Sequence, residues 1–205
     1  MKPRKNPRVD GKRVLDLTLS GLLLAVTSPL LAASAMAIKL DSTGPVLFRQ
    51  ERVGLGGLTF RIHKFRSMSV QHDGRLVSST GDTRVTRVGR LLRRTKLDEL
   101  PQLIDVLQGH MSLVGPRPEV PTYVHQWSAE RREVILSVRP GITDPASVEL
   151  RHEADELAGV SDPEAYYVEV LLPRKTAVYV DYVMNRSLLG DVAILLRTVR
   201  ALATR

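Results

Sequence analysis

Between Val14 and Ile38 the chain carries one charge, Asp16, in a run of apolar and small residues long enough to cross a bilayer as a helix. Ser28-Pro29 sits at its centre. Proline cannot donate its N–H and crowds the preceding turn, so a helix must bend or break there, and the Ser28 hydroxyl can serve carbonyls left unpaired. Three readings follow: a kinked spanning helix, a helix-break-helix that re-enters and leaves on one side, and a signal peptide. The basic start and the small run Ala33-Ser34-Ala35 suit the third, but the run exceeds a usual signal core and leads straight into basic sequence. Lys12 and Arg13 precede it and Lys39, Arg49 and Arg52 follow, whereas spanning segments keep such charge on the cytoplasmic side. Basic flanks at both ends fit the hairpin.

The 205 residues suffice for one compact body beside such an anchor, and 43% hydrophobic content argues against disorder. Without cysteine there is no disulfide framework and no thiolate metal site. The net charge of +8 is concentrated. Residues 61–96 hold Arg61, Lys64, Arg66, Arg75, Arg84, Arg87, Arg90, Arg93, Arg94 and Lys96 against Asp73 and Asp82, an excess equal to the whole. An anion is therefore expected here: nucleic acid, lipid headgroups or a phosphorylated substrate. The 4% aromatic content argues against a stacking platform for single-stranded nucleic acid, and no zinc-finger spacing or heptad array is present.

Beyond the basic arm at 1–13 and the anchor to residue 40, residues 41–205 read as one body without repeats. Pro45-Val46-Leu47-Phe48 reads as a strand, Gly54, Gly56 and Gly57 as a turn, and Leu58 to Phe65 alternates like a second strand, giving a β-hairpin with Arg61, His63 and Lys64 on its polar face. Residues 69–83 read as a loop. Arg84 to Thr95 has helical spacing, with Val85, Val88, Leu91 and Leu92 inward and Arg87, Arg90 and Arg94 outward. Helices are also expected near 164–180 and from Leu188 to Leu202. The last is amphipathic and suits either an anionic membrane surface or ordinary core packing.

The run Lys96-Leu97-Asp98-Glu99-Leu100-Pro101-Gln102-Leu103 sets two carboxylates at a helix start. Leu100, Leu103, Ile104 and Leu107 recur at helical spacing, Pro101 is tolerated only in a first turn, and Gly109 stands where the helix should stop. Capping is the plain reading of the acidic pair, since helix N-termini favour negative charge. Two further motifs add chemistry. Gly115-Pro116-Arg117-Pro118 and Arg139-Pro140-Gly141-Ile142-Thr143 each hold an arginine beside proline, and a rigid loop presenting a guanidinium suits bidentate phosphate binding.

Taken in order, these segments resemble the bacterial sugar transferases, the monotopic polyprenyl-phosphate hexose-1-phosphate transferases. The resemblance runs through Lys12-Arg13-Val14-Leu15-Asp16, Ser28-Pro29, Gly44 to Gly54, Lys64-Phe65-Arg66-Ser67-Met68, Asp82 to Gly89, Leu97 to Gln102, Gly109 to Pro118 and Arg139 to Thr143, covering nearly the whole chain. It implies a mixed α/β, mostly helical fold: a re-entrant helix-break-helix at Ser28-Pro29, then a small catalytic body with a β-hairpin and interfacial helices. It implies transfer of a sugar 1-phosphate from a nucleoside diphosphate sugar, a UDP-sugar by expectation, to polyprenyl phosphate such as undecaprenyl phosphate. The expected place is the cytoplasmic face of the bacterial inner membrane, in contact with lipid and without nucleic acid; a homo-oligomer stays open. By the same resemblance Asp98 is the nucleophile and Glu99 helps hold Mg²⁺. Lys64, Arg66, Arg87, Arg117 and Arg139 are the candidate phosphate contacts.

A carboxylate is a weak nucleophile but is ionised at neutral pH without a separate base, and its attack on a diphosphate needs cationic neutralisation. The chain departs from many relatives after Thr143, reading Asp144-Pro145-Ala146-Ser147-Val148 before an acidic segment, as in another branch of the family. Its length suggests the minimal catalytic form. The competing class is a non-catalytic membrane-anchored basic module for nucleic acid or anionic lipid. That would explain the charge and the anchor but not the acidic pair or the proline-held arginines.

Overall fold

The structure, a computed structural model, describes residues 9–69, 78, 81–150 and 153–203. The arm at 1–8 and most of the loop expected at 69–83 lie outside them. Helix α1, Val9–Asp41, contains the apolar run and is long and apolar enough to cross a membrane. Ser28 and Pro29 lie inside this one helix, where two helices separated by a break were expected. The local chemistry accounts for the continuity. Pro29 has no N–H for the carbonyl of Ala25, four residues back, and the Ser28 hydroxyl donates to that oxygen at 2.8 Å while Thr27 donates to Leu23.

The body packs along α1 over most of its length. Lys12 donates to the Val114 carbonyl at 2.9 Å and pairs with Asp191 at 2.6 Å, and Asp16 accepts the Leu113 N–H. Near the other end Ile38 is buried with Phe65 and Leu92, and Asp41 accepts the Val88 N–H. The opposite side is bare: Val14, Leu22, Val26 and Met36 are all more than 60% exposed.

The expected hairpin forms in two short pieces. Strands β1 (Leu47–Phe48) and β4 (Lys64–Phe65) pair antiparallel at its base. Strands β2 (Glu51–Val53) and β3 (Thr59–Arg61) pair at its tip, around a turn in which Gly56 and Gly57 adopt positive φ. Helix α2 is Arg87–Thr95, three residues shorter than the spacing suggested. Asp82 accepts the Arg84 N–H in a turn, Val85 bridges to Met68, and the Thr86 hydroxyl caps the helix by accepting from Gly89. Leu91 is 51% exposed, not inward. Gly89 takes an inward place, because a Cβ there would lie 2.0 Å from the Ser67 carbonyl oxygen.

After a 3₁₀ turn at Leu97–Glu99 comes α3, Gln102–Leu107, with Pro101 at its cap and Gly109 at φ +87° beyond its end, as the spacing required. Strand β5 (Ser112–Val114) leads to α4 (Pro121–Val124) and α5 (Ala129–Ile135), and then β6 (Gly141–Thr143) pairs parallel with β5. Gly115 and Gly141 meet backbone to backbone, where a Cβ on Gly141 would come within 2.1 Å of the Gly115 nitrogen. Helices α6 (Pro145–Glu149), α7 (Glu153–Ala158) and α8 (Pro163–Tyr166) follow. A π-helical segment at Tyr167–Leu171 joins α8 to α9 (Leu172–Asn185).

The last helix, α10 (Leu188–Ala203), divides between its two expected roles. Ile194 and Leu195 pack against the core around Leu103 and Tyr182, while Leu189, Leu196 and Val199 are at least 65% exposed. The largest core gathers Val120, Tyr123, Trp127, Ile135, Tyr167, Leu171 and Tyr179 behind the Arg117 loop.

Candidate active site

Asp98 and Glu99 lie in the 3₁₀ turn before α3, with 2% and 8% of their surface exposed. What turns them inward is Lys96, the one non-glycine residue at positive φ (58°) among the described residues, which ends α2 and redirects the chain. A left-handed conformation costs a lysine about 1 kcal/mol, and such strain collects at functional sites. Two elements distant in sequence then supply cations. Lys64, on β4, places its Nζ 3.1 Å from Asp98 Oδ2 and 3.2 Å from Glu99 Oε1. Arg117, from its proline-bounded loop, forks onto Glu99 at 2.6 and 3.4 Å.

Glu99 is thus enclosed by charge. Burial pushes its carboxyl up, but Arg117, Lys64 and Lys96 outweigh that and hold it well below the usual carboxylate range. Glu99 in turn raises Arg117 well above its ordinary value, against its burial. Asp98 differs. Its Oδ1 is buried without a hydrogen-bond partner among the described residues. A buried carboxylate oxygen left free in a native structure has a use to be found for it.

The hairpin that carries Lys64 is itself fixed. Asp105 of α3, fully buried, accepts the His63 N–H at 2.9 Å and lies 2.7 Å from His63 Nδ1. The other ring nitrogen, Nε2, lies 2.6 Å from an Arg49 guanidinium nitrogen, so the ring donates through Nδ1 and accepts at Nε2. Lys64, Asp98, Glu99 and Arg117 therefore come together as expected.

Three candidates do not join them. Arg66 is buried and donates to the carbonyls of Ser42 and Thr43 at 2.7 and 2.8 Å, closing the C-terminal end of α1. Helix-end carbonyls attract a guanidinium as a phosphate does, which the charge count alone could not separate. Arg139 does the same for α3, its Nε donating to the Gly109 carbonyl at 2.8 Å. Arg87 lies exposed in the first turn of α2 and makes no contact with the acidic pair among the described residues.

Sequence reasoning missed Arg93. It donates to Ser67 at 2.9 Å and to Ser78 at 2.8 Å, and burial lowers its pKa while the nearby Asp98 raises it. Its signal was its place beside the inward Leu92, five residues before Asp98. Also missed was a second polar cluster behind Arg117. There Tyr167 donates to Glu119 at 2.7 Å and Lys175 sits between Glu119 and Glu153 at 3.6 and 3.2 Å.

The model of the family described as bacterial sugar transferase matches residues 8–205. The chain belongs to the bacterial sugar transferase family. It is 46% identical over 197 residues to the UDP-glucose:undecaprenyl-phosphate glucose-1-phosphate transferase of Caulobacter vibrioides, covering 94% of this chain and 70% of that protein. It is 41% identical to the UDP-N-acetylgalactosamine-undecaprenyl-phosphate N-acetylgalactosaminephosphotransferase of Aeromonas hydrophila, over 94% of this chain and 44% of that one. A third relative, the glucose-1-phosphate transferase of Escherichia coli, is 42% identical over 83% of this chain and 37% of its own length. The chain thus spans less than half of the latter two. Family membership removes the competing reading of a basic module unrelated to sugar transfer. The named sugars, glucose and N-acetylgalactosamine, differ between relatives of similar identity.

Proposed function

We propose that this chain transfers a sugar 1-phosphate from a UDP-sugar to undecaprenyl phosphate, releasing UMP, through a covalent phosphosugar on Asp98. The observation that carries this reading is the buried Oδ1 of Asp98, without a hydrogen-bond partner among the described residues and held beside Lys64 and the Arg117–Glu99 fork. A non-catalytic module would gain nothing from burying such an oxygen. Asp98 Oδ1 attacks the phosphorus that carries the sugar, and the bond from that phosphorus to the bridging oxygen breaks, its electrons leaving on UMP. An oxygen of the lipid phosphate then attacks the same phosphorus. The bond to Oδ1 breaks and the carboxylate is restored.

Lys64 fixes Asp98 through Oδ2 and leaves Oδ1 for the bond to form. Arg117 and Lys64 present the cations that a diphosphate needs as charge builds on its oxygens. The donor set suits Mg²⁺, which takes one or two carboxylates together with substrate phosphates. Glu99, with one oxygen only loosely held by Arg117 at 3.4 Å, would hold it. When bound, the ion supplies further positive charge against the diphosphate. No group of three acidic or histidine ligands occurs among the described residues, so the remaining ligands would come from the substrate.

The body grips α1 from Lys12 to Asp41, which supports placing both ends of this helix on the same, cytoplasmic side, with its bare apolar face and that of α10 in the membrane. A straight helix of this length, about 50 Å, that crossed a bilayer would carry its ends to opposite sides.

The covalent step is tested by mass. With a UDP-sugar and Mg²⁺ but no lipid phosphate, the protein should gain one sugar phosphate per chain and release one UMP. Asp98→Asn should gain nothing on long incubation, and Glu99→Gln should react slowly and respond weakly to Mg²⁺. A normal adduct on Asp98→Asn would end the proposal. Topology is tested in a chain that has no native cysteine. Gly11, where an added side chain meets nothing, and exposed Glu130 are changed to cysteine one at a time. Both should label only after permeabilisation; labelling of Gly11→Cys on intact cells would show a spanning helix.

A further inference from the structure

Behind Arg117 lies a cavity of about 130 Å³, lined by Arg52, Glu119, Val120, Glu153, Tyr167 and Lys175 among others. Resting on the reading above, we propose that this cavity receives the sugar ring of the donor, and that Glu119, Tyr167 and Lys175 select among sugars. Three observations lead there. The first is position. Arg117 lines the cavity and also forks onto Glu99, so a phosphate held at Arg117 has the cavity one ester bond away.

The second is chemistry. With Arg117 taken up by Glu99, the rest of the charged lining among the described residues balances, Arg52 and Lys175 against Glu119 and Glu153, which suits a neutral ligand rather than a second phosphate. Glu119, 4% exposed, accepts one hydrogen bond among the described residues, from Tyr167, and is otherwise faced by Arg52 at 3.8 Å and Lys175 at 3.6 Å. A carboxylate has about four acceptor sites, so Glu119 retains capacity for sugar hydroxyls. Val120 and Leu157 offer a small apolar wall for the C–H face of a ring, far too little for a prenyl chain.

The third is what the cavity excludes. A base would need an open aromatic face. Tyr123 and Tyr167 are only 4% and 5% exposed, their rings pack together at 4.8 Å, and Lys175 lies 4.9 Å from the Tyr167 ring centre. The cavity is also smaller than the roughly 300–1,000 Å³ of sites for larger ligands, so it suits one ring and not a whole nucleotide sugar.

The test uses the full chain with UDP-glucose, UDP-galactose and UDP-N-acetylgalactosamine as donors and UDP as a sugar-free competitor. Tyr167→Phe loosens Glu119, and Val120→Ile narrows the cavity by one methylene without touching the polar network. Each should lower kcat/KM for the preferred donor by about tenfold and change the ratio between donors, since a site that pairs with substrate hydroxyls loses most when that pairing is spoiled. Inhibition by UDP should stay within about twofold, the size of an ordinary surface substitution. Losses equal for all three donors, or shared by UDP, would overturn the assignment and place the base or the diphosphate here. Should Tyr167→Phe melt early, Val120→Ile decides, because Val120 lines the cavity and its added methylene leaves the Glu119 network in place. Wild-type protein inert towards every nucleotide sugar would instead remove the transferase reading itself, a result visible before any variant is made.

Discussion

The two ends of α3 both hold arginine, and they use it differently. At the C-terminal end Arg139 donates to the Gly109 carbonyl and Arg13 to the Leu107 carbonyl, closing groups that the helix leaves unpaired. At the N-terminal end Arg117 and Lys64 hold two carboxylates, and one oxygen of Asp98 has no hydrogen-bond partner among the described residues. The first arrangement spends its guanidinium donors on backbone carbonyls. The second sets cations against buried side-chain carboxylates. A proline-bounded loop supplies the arginine in both cases, so rigidity by itself does not mark a substrate contact. What separates them is whether the guanidinium meets a backbone carbonyl or a buried side-chain carboxylate.

This contrast can be broken most sharply at Arg117. Arg117→Lys keeps the charge but loses the fork onto Glu99, and kcat/KM should fall by on the order of 2 kcal/mol, about 30-fold, with folding retained. Near-normal turnover would show that charge alone suffices at this end. The next effect is in acid. Because Glu99 is held well below the usual carboxylate range, its ion pairs stabilise the fold fully above its unfolded pKa and lose that contribution as pH falls through the lower, folded value. The melting difference between wild type and Glu99→Gln should therefore stay level from about pH 8 to pH 5 and shrink only below about pH 4, near the unfolded carboxylate's value. A difference that fades between pH 7 and pH 5 would contradict the depressed carboxyl. The smallest effect belongs to Arg139. Arg139→Gln should cost about 1 kcal/mol of stability, a single hydrogen bond, and leave turnover within about twofold. A large loss of kcat at unchanged stability would return Arg139 to the substrate.

How far the sequence speaks depends on whether the deciding interaction is local. The turn at Gly54–Gly57, the stop at Gly109, the last helix and the acidic pair before Pro101 are set by neighbours in the chain, and each was legible. The start of α2 was not. Thr86 as its cap competes with an Asp82 turn, and Val85 is claimed by a bridge to Met68. Among the arginines, pattern indicated that an anion lay near but could not say which ones would be taken up by helix-end carbonyls, as Arg66 and Arg139 are. Lys175 and Tyr167 were invisible for a related reason. Both fall in the helix expected near 164–180, and nothing in the chain around them shows that the fold turns both toward Glu119.

The pair between Lys12 and Asp191 joins residues 179 positions apart and is completed by the Tyr182 hydroxyl on the same carboxylate. It sets an order of assembly. On a ribosome α1 emerges well before α10, so its seat against the body includes a carboxylate made 179 residues after Lys12. Until α10 has been synthesised, Lys12 has no counter-ion there, and the Val114 carbonyl it also holds waits with it. The seat of the first helix against the body is therefore finished only once the chain has been made as far as α10.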